Sequence, residues 1–162
     1  GHRRCAYVYF SEHPAYSIHP ETQRLAGFVE ALAEHGLTLP EASIQYVPVS
    51  RKGIREKLAE LVLRTQPPTA IFVPADDLAI RVIHELRELG MHTPNDISVI
   101  GFDDIDIAAH IDLTTISQSL VESGRLAVEL LFARLADPQR PIQQIRLPVG
   151  LEQRGTTRRV HG

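Results

Sequence analysis

Ala70-Ile71-Phe72-Val73-Pro74-Ala75-Asp76-Asp77 is the stretch whose reading decides the fold. Its first four residues are apolar without alternation, the pattern of a strand buried on both faces. Directly after the aspartates, Leu78, Ala79, Val82, Ile83, Leu86 and Leu89 recur at helical spacing. Gly90 follows as a stop signal. Pro94-Asn95-Asp96 then turns the chain into Ile97-Ser98-Val99-Ile100-Gly101, a second buried strand. Strand, helix and strand of these lengths make a βαβ unit, whose strands lie parallel.

The same alternation extends toward the amino terminus. Cys5 to Phe10 is an apolar, aromatic-rich run that reads as a buried strand. Leu25, Phe28, Val29 and Leu32 mark an amphipathic helix over 21–35, closed by Gly36. Ile44 to Val47 is a brief strand, and Ile54, Leu58, Leu61 and Val62 mark a helix that must end before Pro67-Pro68. The order β-α-β-α-β-α-β predicts an α/β fold with a doubly wound parallel sheet. Asp76 or Asp77 is expected to cap the third helix.

The last third departs from this rhythm. Thr114 to Gln118 reads as a short strand, and Leu120 to Leu135 as a long helix with apolar residues at 126, 130, 131 and 135. Asp137-Pro138-Gln139-Arg140-Pro141 ends it, and Ile142 to Leu151 alternates in part. No internal repeat or low-complexity tract interrupts the chain, and 155–162 reads as a frayed tail.

Composition excludes several classes. The 162 residues suffice for one ordinary domain, with 43% hydrophobic and 23% charged residues, a globular balance. A net charge of -3 offers no basic field for counterion release, so this chain alone is a poor DNA binder. Cys5 is the sole cysteine and forms no internal disulfide, which points to a reducing, cytoplasmic setting. No apolar run approaches the roughly 20 residues of a membrane span. Gly1-His2-Arg3-Arg4 leads straight into a strand with no leader, the expectation for a fragment. Gly1-His2 itself reads either as a cloning remnant or as natural sequence.

In open parallel sheets, ligands bind outside the carboxyl ends of the strands. That rule selects the loop 11–21, the turn near 48–52, the turn 74–77 and the turn 103–112. Asp103 follows a buried strand and should sit at the floor of the site, where a carboxylate accepts hydrogen bonds from sugar hydroxyls or an amine. Asp103 and Asp104 face opposite ways if the turn is extended, and the competing reading is that both only tighten a turn. Asp76 and Asp77 suit a helix start. Arg24 is a cation near a helix start, where the dipole disfavours it, which points to ligand binding, with an exposed surface arginine as the competing reading. His13 and His19 share a loop, but no Cys or His spacing resembles a zinc set, and metal binding is not expected. Ser11-Glu12-His13-Pro14 carries no G-x-G-x-x-G, and neither a phosphate loop nor a G-x-S-x-G elbow occurs. No enzyme activity and no cofactor are expected.

Several stretches together resemble the effector-binding core of the lactose-repressor (LacI/GalR) family of bacterial transcription regulators. They are Arg24-Leu25-Ala26-Gly27-Phe28, Thr69 to Ala79, Asn95 to Asp104, Leu113-Thr114-Thr115-Ile116, Leu147-Pro148 and Arg154-Gly155-Thr156-Thr157. The resemblance covers nearly the whole chain. It implies a periplasmic-binding-protein-like (type I) fold, of which this chain is mostly the C-terminal subdomain. It places 1–113 in that subdomain, 114–148 as crossover strands and a helix of the N-terminal subdomain, and 149–162 as a return strand and tail. It carries over Arg24 and Asp103 as effector contacts, with Asp76 opening the next helix, as an effector-site residue more plausibly structural. Gln118, at the subdomain crossover, is the fourth expected contact. Ala75 stands where many members have Asn, and Pro48 to Ser50 replaces a frequent aromatic or polar contact.

The resemblance further implies a sugar-like small-molecule effector and a homodimer. It implies operator binding only through a helix-turn-helix headpiece that this chain lacks. Effector binding in such proteins reorients two subdomains and so changes operator affinity. The helix 120–135 is expected to lack its natural packing partners here and to seek burial against a neighbouring chain. The alternatives are a fragment of a periplasmic sugar-binding protein for transport, and an enzyme or phosphoacceptor using the aspartate pairs for magnesium. The second needs acids after the first strand, where only Glu12 stands.

Overall fold

The computed structural model describes residues 1–11 and 20–160. Most of the loop 11–21 singled out from sequence, with Glu12, His13 and His19, lies outside the described residues.

Six strands form one sheet in the order β2-β1-β3-β4-β5-β6. They are β1 (Cys5–Phe10), β2 (Ile44–Val47), β3 (Ala70–Phe72), β4 (Ser98–Asp103), β5 (Thr115–Gln118) and β6 (Val149–Glu152). The first five pair in parallel and β6 pairs antiparallel with β5, so the doubly wound sheet carries one reversed edge strand. Gly101 lies opposite Thr115 and Asp103 opposite Ser117, so β5 extends the same sheet.

The helices are α1 (Pro20–Glu34), α2 (Arg51–Val62), α3 (Asp76–Glu88), α4 (Asp106–His110) and α5 (Leu120–Ala136). Period-2 alternation divides β1 between two layers. Ala6 and Val8 point into the main core with Ile71, Val73 and Val99, closed over by Ile54, Leu58 and Leu61 of α2 and Leu78, Val82 and Leu86 of α3. Tyr7 and Phe72 face the other layer, where Phe28 of α1 meets both rings at 6.1 and 5.3 Å. Gly36 and Gly90 end α1 and α3 at φ of 68° and 79°, the left-handed conformation a helix stop requires.

Five sequence expectations are corrected. The tail expected to fray from 155 is anchored at its start, where the Val99 amide donates to the Thr156 carbonyl at 2.9 Å and the buried Thr156 hydroxyl donates to the Val99 carbonyl at 2.8 Å. Neither aspartate caps α3: Ala75 occupies the N-cap position and makes no side-chain cap bond. The strand expected to stop at Gly101 runs on to Asp103, because its ladder to β5 carries Phe102 and Asp103 as well. The long turn after it contains the short helix α4. The alternating segment 142–151 is a strand only over Val149–Glu152, and Ile142 and Ile145 are exposed, so no second layer gives their alternation a buried face.

α5 stands apart from the core. None of its residues is buried, and Leu120, Val121, Val128, Leu131, Phe132 and Leu135 are all exposed. Among the described residues, none buries the apolar face of α5, in keeping with the expectation of an unburied helix.

Candidate functional site

The carboxyl ends of β1, β3, β4 and β5 point to one edge of the sheet, because these strands are parallel. Asp103 is the last residue of β4 and Gln118 the last of β5. Arg24 sits on α1, which follows β1, and Pro74 lies just beyond β3. Residues far apart in sequence therefore meet at one place.

Asp103 is its centre. Gln118 donates Nε2 to Asp103 Oδ1 at 2.6 Å, and Arg24 Nη2 lies 3.5 Å from the same oxygen. Arg24 also donates Nη1 to the Pro74 carbonyl and stacks its guanidinium 3.8 Å above the Phe102 ring. Stacking of this kind contributes about 0.5–2 kcal/mol and fixes the plane of the guanidinium. Tyr7 donates its hydroxyl to the Glu21 carbonyl at 2.7 Å, anchoring the first turn of the helix that carries Arg24. Partial burial pushes the Asp103 carboxyl above its ordinary range. Arg24 and Gln118 pull it down without cancelling that effect, while Asp76 and Asp77 add to it.

The turn that presents Asp103 is strained. Asp103 has φ of 116° and Asp104 φ of 55°. The second lies in the left-handed well that aspartate tolerates. The first lies outside it, at a cost of order 1–3 kcal/mol. The two side chains do diverge. Asp104 accepts from Arg154 Nη2 at 2.7 Å, and Arg154 also donates to the Leu113 carbonyl and, through its backbone, to Thr114 Oγ1, both at 2.9 Å.

Asp76 is fully buried beneath this edge. Its Oδ2 accepts from the Ile105 amide at 3.1 Å and its Oδ1 from Thr115 Oγ1 at 2.6 Å. Of the four expected site residues, Arg24, Asp103 and Gln118 thus come together, while Asp76 serves the interior below them. Asp77 is exposed and pairs with Arg81 at 3.2 Å, one helical turn on. The turn 48–52 contributes nothing polar to the Asp103 cluster. Ser50 caps α2 by accepting from the Gly53 amide, and Arg51 turns to Glu85 of α3 at 2.8 Å. Phe102 as a platform and Arg154 as a partner of Asp104 escaped the sequence reading. Only their nearness to Asp103 and the unassigned charge of Arg154 hinted at them. Among the described residues, no group of three or more His, Cys, Asp or Glu is arranged to hold a metal ion, and no helix is long and apolar enough to cross a membrane.

Chemically the cluster offers a carboxylate acceptor with an amide and a guanidinium 2.6 and 3.5 Å from one of its oxygens, beside an aromatic face. Such a set orients adjacent hydroxyl groups, one donating to the carboxylate and one accepting from the guanidinium.

Comparison with known proteins gives concordant results. The family profile described as periplasmic binding protein-like domain matches residues 1–157. The ribose operon repressor of Escherichia coli strain K12 is 32% identical over 139 residues, which is 85% of this chain and 42% of that protein. Among solved structures, a transcriptional regulator LacI from Bacillus cereus subsp. cytotoxis NVH 391-98 superposes with a TM-score of 0.84 at 26% identity, over 99% of this chain and 56% of that one. A LacI family transcriptional regulator from Enterococcus faecium, with bound ribose, superposes with a TM-score of 0.77 at 33% identity, over 97% and 57%. The chain spans less than half the length of the ribose operon repressor, and these relatives are transcription regulators rather than enzymes.

Proposed function

The chain belongs to the periplasmic binding protein-like family in its LacI-type regulator branch, and from that premise we propose that it is the effector-sensing half of a bacterial transcriptional repressor. The observation that carries the reading is the convergence of Arg24, Asp103 and Gln118 at the carboxyl ends of the strands. The effector is a neutral polyhydroxyl compound such as a sugar. Asp103 and Arg24 neutralise one another, so a net charge on the ligand would go unanswered, whereas hydroxyl groups match both. The bound ribose of the Enterococcus faecium regulator has the same chemistry.

This half supplies one wall of a cleft, and residues 114–148 lead to the other. The exposed apolar face of α5 supports its assignment to the N-terminal subdomain, where it would be covered by sequence this chain does not include. Operator DNA is contacted by a headpiece elsewhere in the full-length protein, which works in the cytoplasm as a homodimer and performs no catalysis. Asp76 supports the site from below rather than touching the effector, because both its carboxyl oxygens are already engaged.

The test is a thermal-shift and calorimetric screen of the full-length protein against D-ribose, cellobiose and other sugars and polyols. At least one should raise the melting temperature, and Arg24→Ala and Asp103→Ala should each abolish that shift. Binding retained in both variants would place the effector on other residues.

A further inference from the structure

The buried side chain of Asp76 has no cap to make, since Ala75 holds that position. It lies on α3, yet its two hydrogen bonds go to two other elements. One is donated by the Ile105 amide, two residues beyond Asp103 on the strained turn. The other is donated by Thr115, the first residue of β5, three residues before Gln118. A single carboxyl group thus ties together the segment that presents Asp103 and the strand that presents Gln118. Gly101 between them leaves the space: a Cβ there would fall 2.1 Å from Asp76 Oδ1.

We propose that Asp76 is a positioning residue for the effector site, holding the Asp103 turn and the Gln118 strand at one fixed separation. The physical need is plain. A φ of 116° at Asp103 persists only where surrounding contacts over-determine it. Arg154 restrains the turn from the side of Asp104, and Asp76 restrains it from the side of Ile105. Without Asp76 the turn loses its buried anchor on the Ile105 side, is left to Arg154 at Asp104 and to the Gln118 and Arg24 contacts at Asp103, and relaxes toward ordinary backbone angles. Asp103 then swings toward water and away from Gln118. The inference rests on the effector reading for the purpose of the turn, but not for its test.

That test uses the ligand-free chain, so it stands whether or not any sugar binds. Amide hydrogen exchange and a carbon-detected titration of Asp103 are followed in Asp76→Ala, Asp76→Asn and Thr115→Val. In Asp76→Ala the Ile105 amide should exchange at least tenfold faster while the amides of Leu58 and Leu61 in α2 keep their rates. The Asp103 carboxyl should fall toward its ordinary range in both Asp76 variants, because the Asp76 charge that raises it is gone, and further in Asp76→Ala, where it also gains water. Asp76→Asn should restore most of the protection, because an amide can still accept from Ile105 and donate to the Thr115 hydroxyl. Thr115→Val, which removes one bond and little volume, should show a smaller change of the same kind, and it decides the matter if Asp76→Ala does not fold. An unchanged Ile105 rate and Asp103 titration would overturn the proposal. So would a uniform acceleration of all amides, the mark of a residue that only stabilises the fold.

Discussion

Replacing Gly101 by alanine adds one methyl group at the tightest point below the site, and its consequence follows from three distances. The new Cβ would stand 2.1 Å from Asp76 Oδ1, 3.2 Å from Asp76 Cγ and 3.2 Å from Leu113 Cδ2. The side chain at 2.1 Å is not free to retreat. It is buried and held by Thr115 at 2.6 Å and Ile105 at 3.1 Å. Overpacking a core costs about 1–3 kcal/mol, and each weakened hydrogen bond adds about 0.5–1.5 kcal/mol. A loss of about 3 kcal/mol is therefore expected, which for a chain of this size lowers the melting temperature by about 6–12 °C. Gly27→Ala is the internal control. Gly27 lies in α1 with nothing within 4 Å of its would-be Cβ, so alanine should stabilise the protein by about 0.5–1 kcal/mol through helix propensity. Thermal unfolding followed by circular dichroism reads both. A Gly101→Ala variant within about 0.5 kcal/mol of the parent would refute the packing argument.

Asp103→Asn should raise the melting temperature of the ligand-free protein at pH 7 while abolishing effector binding. The Asp103 carboxyl is raised above its ordinary 3.8, chiefly by burial, so its contribution to stability is complete below that value and is lost as pH rises through the folded-state value. The advantage of the variant should therefore vanish below about pH 4 in a pH series of melting curves; a lower midpoint at pH 7 would contradict this. Glu85 titrates in the opposite sense. Burial pushes it up, but bonds from Arg51 and Arg55 at 2.8 and 2.7 Å outweigh that and hold it below its ordinary value. Its stabilising effect is present above pH 4.5 and fades as pH falls, so Glu85→Gln should destabilise at pH 7 and converge with the parent in acid. The loss should be smaller than that of Gly101→Ala, because both arginines keep water-facing sides; equal melting curves at pH 7 would count against it. The 162-residue chain should self-associate through α5 as its concentration rises, and light scattering that shows only monomer at every concentration would remove that expectation.

The strands and helices of the first hundred residues were legible because burial imposes a period on sequence. Ala70-Ile71-Phe72-Val73 is apolar throughout because Ile71 and Val73 face the core under α2 and α3 while Phe72 meets Phe28 of α1 on the other face, and Leu78, Val82 and Leu86 repeat because one face of α3 meets the core. The same rule failed at 142–148, where apolar residues alternate with nothing in the chain to bury them. Parallel topology placed Asp103 at a ligand-binding edge, the helix dipole marked Arg24, and the family resemblance joined them and added Gln118.

The partners of Asp76 were beyond the sequence's reach. Read locally, an aspartate at a helix start is a cap, since the nearest orphan donors belong to its own helix. Its actual donors are 29 and 39 residues away, and no local pattern names them. The sequence by itself determined the order of strands and helices through β4 and which strand ends bear charge, because these follow from periodicities of a few residues, but not α4 or the limits of β4 and β6. Only the tertiary structure decided which carboxylate meets Arg24 and Gln118, which lies buried beneath it, and which guanidinium answers Asp104. Those pairings depend on strand order and register, quantities that no short stretch of sequence encodes.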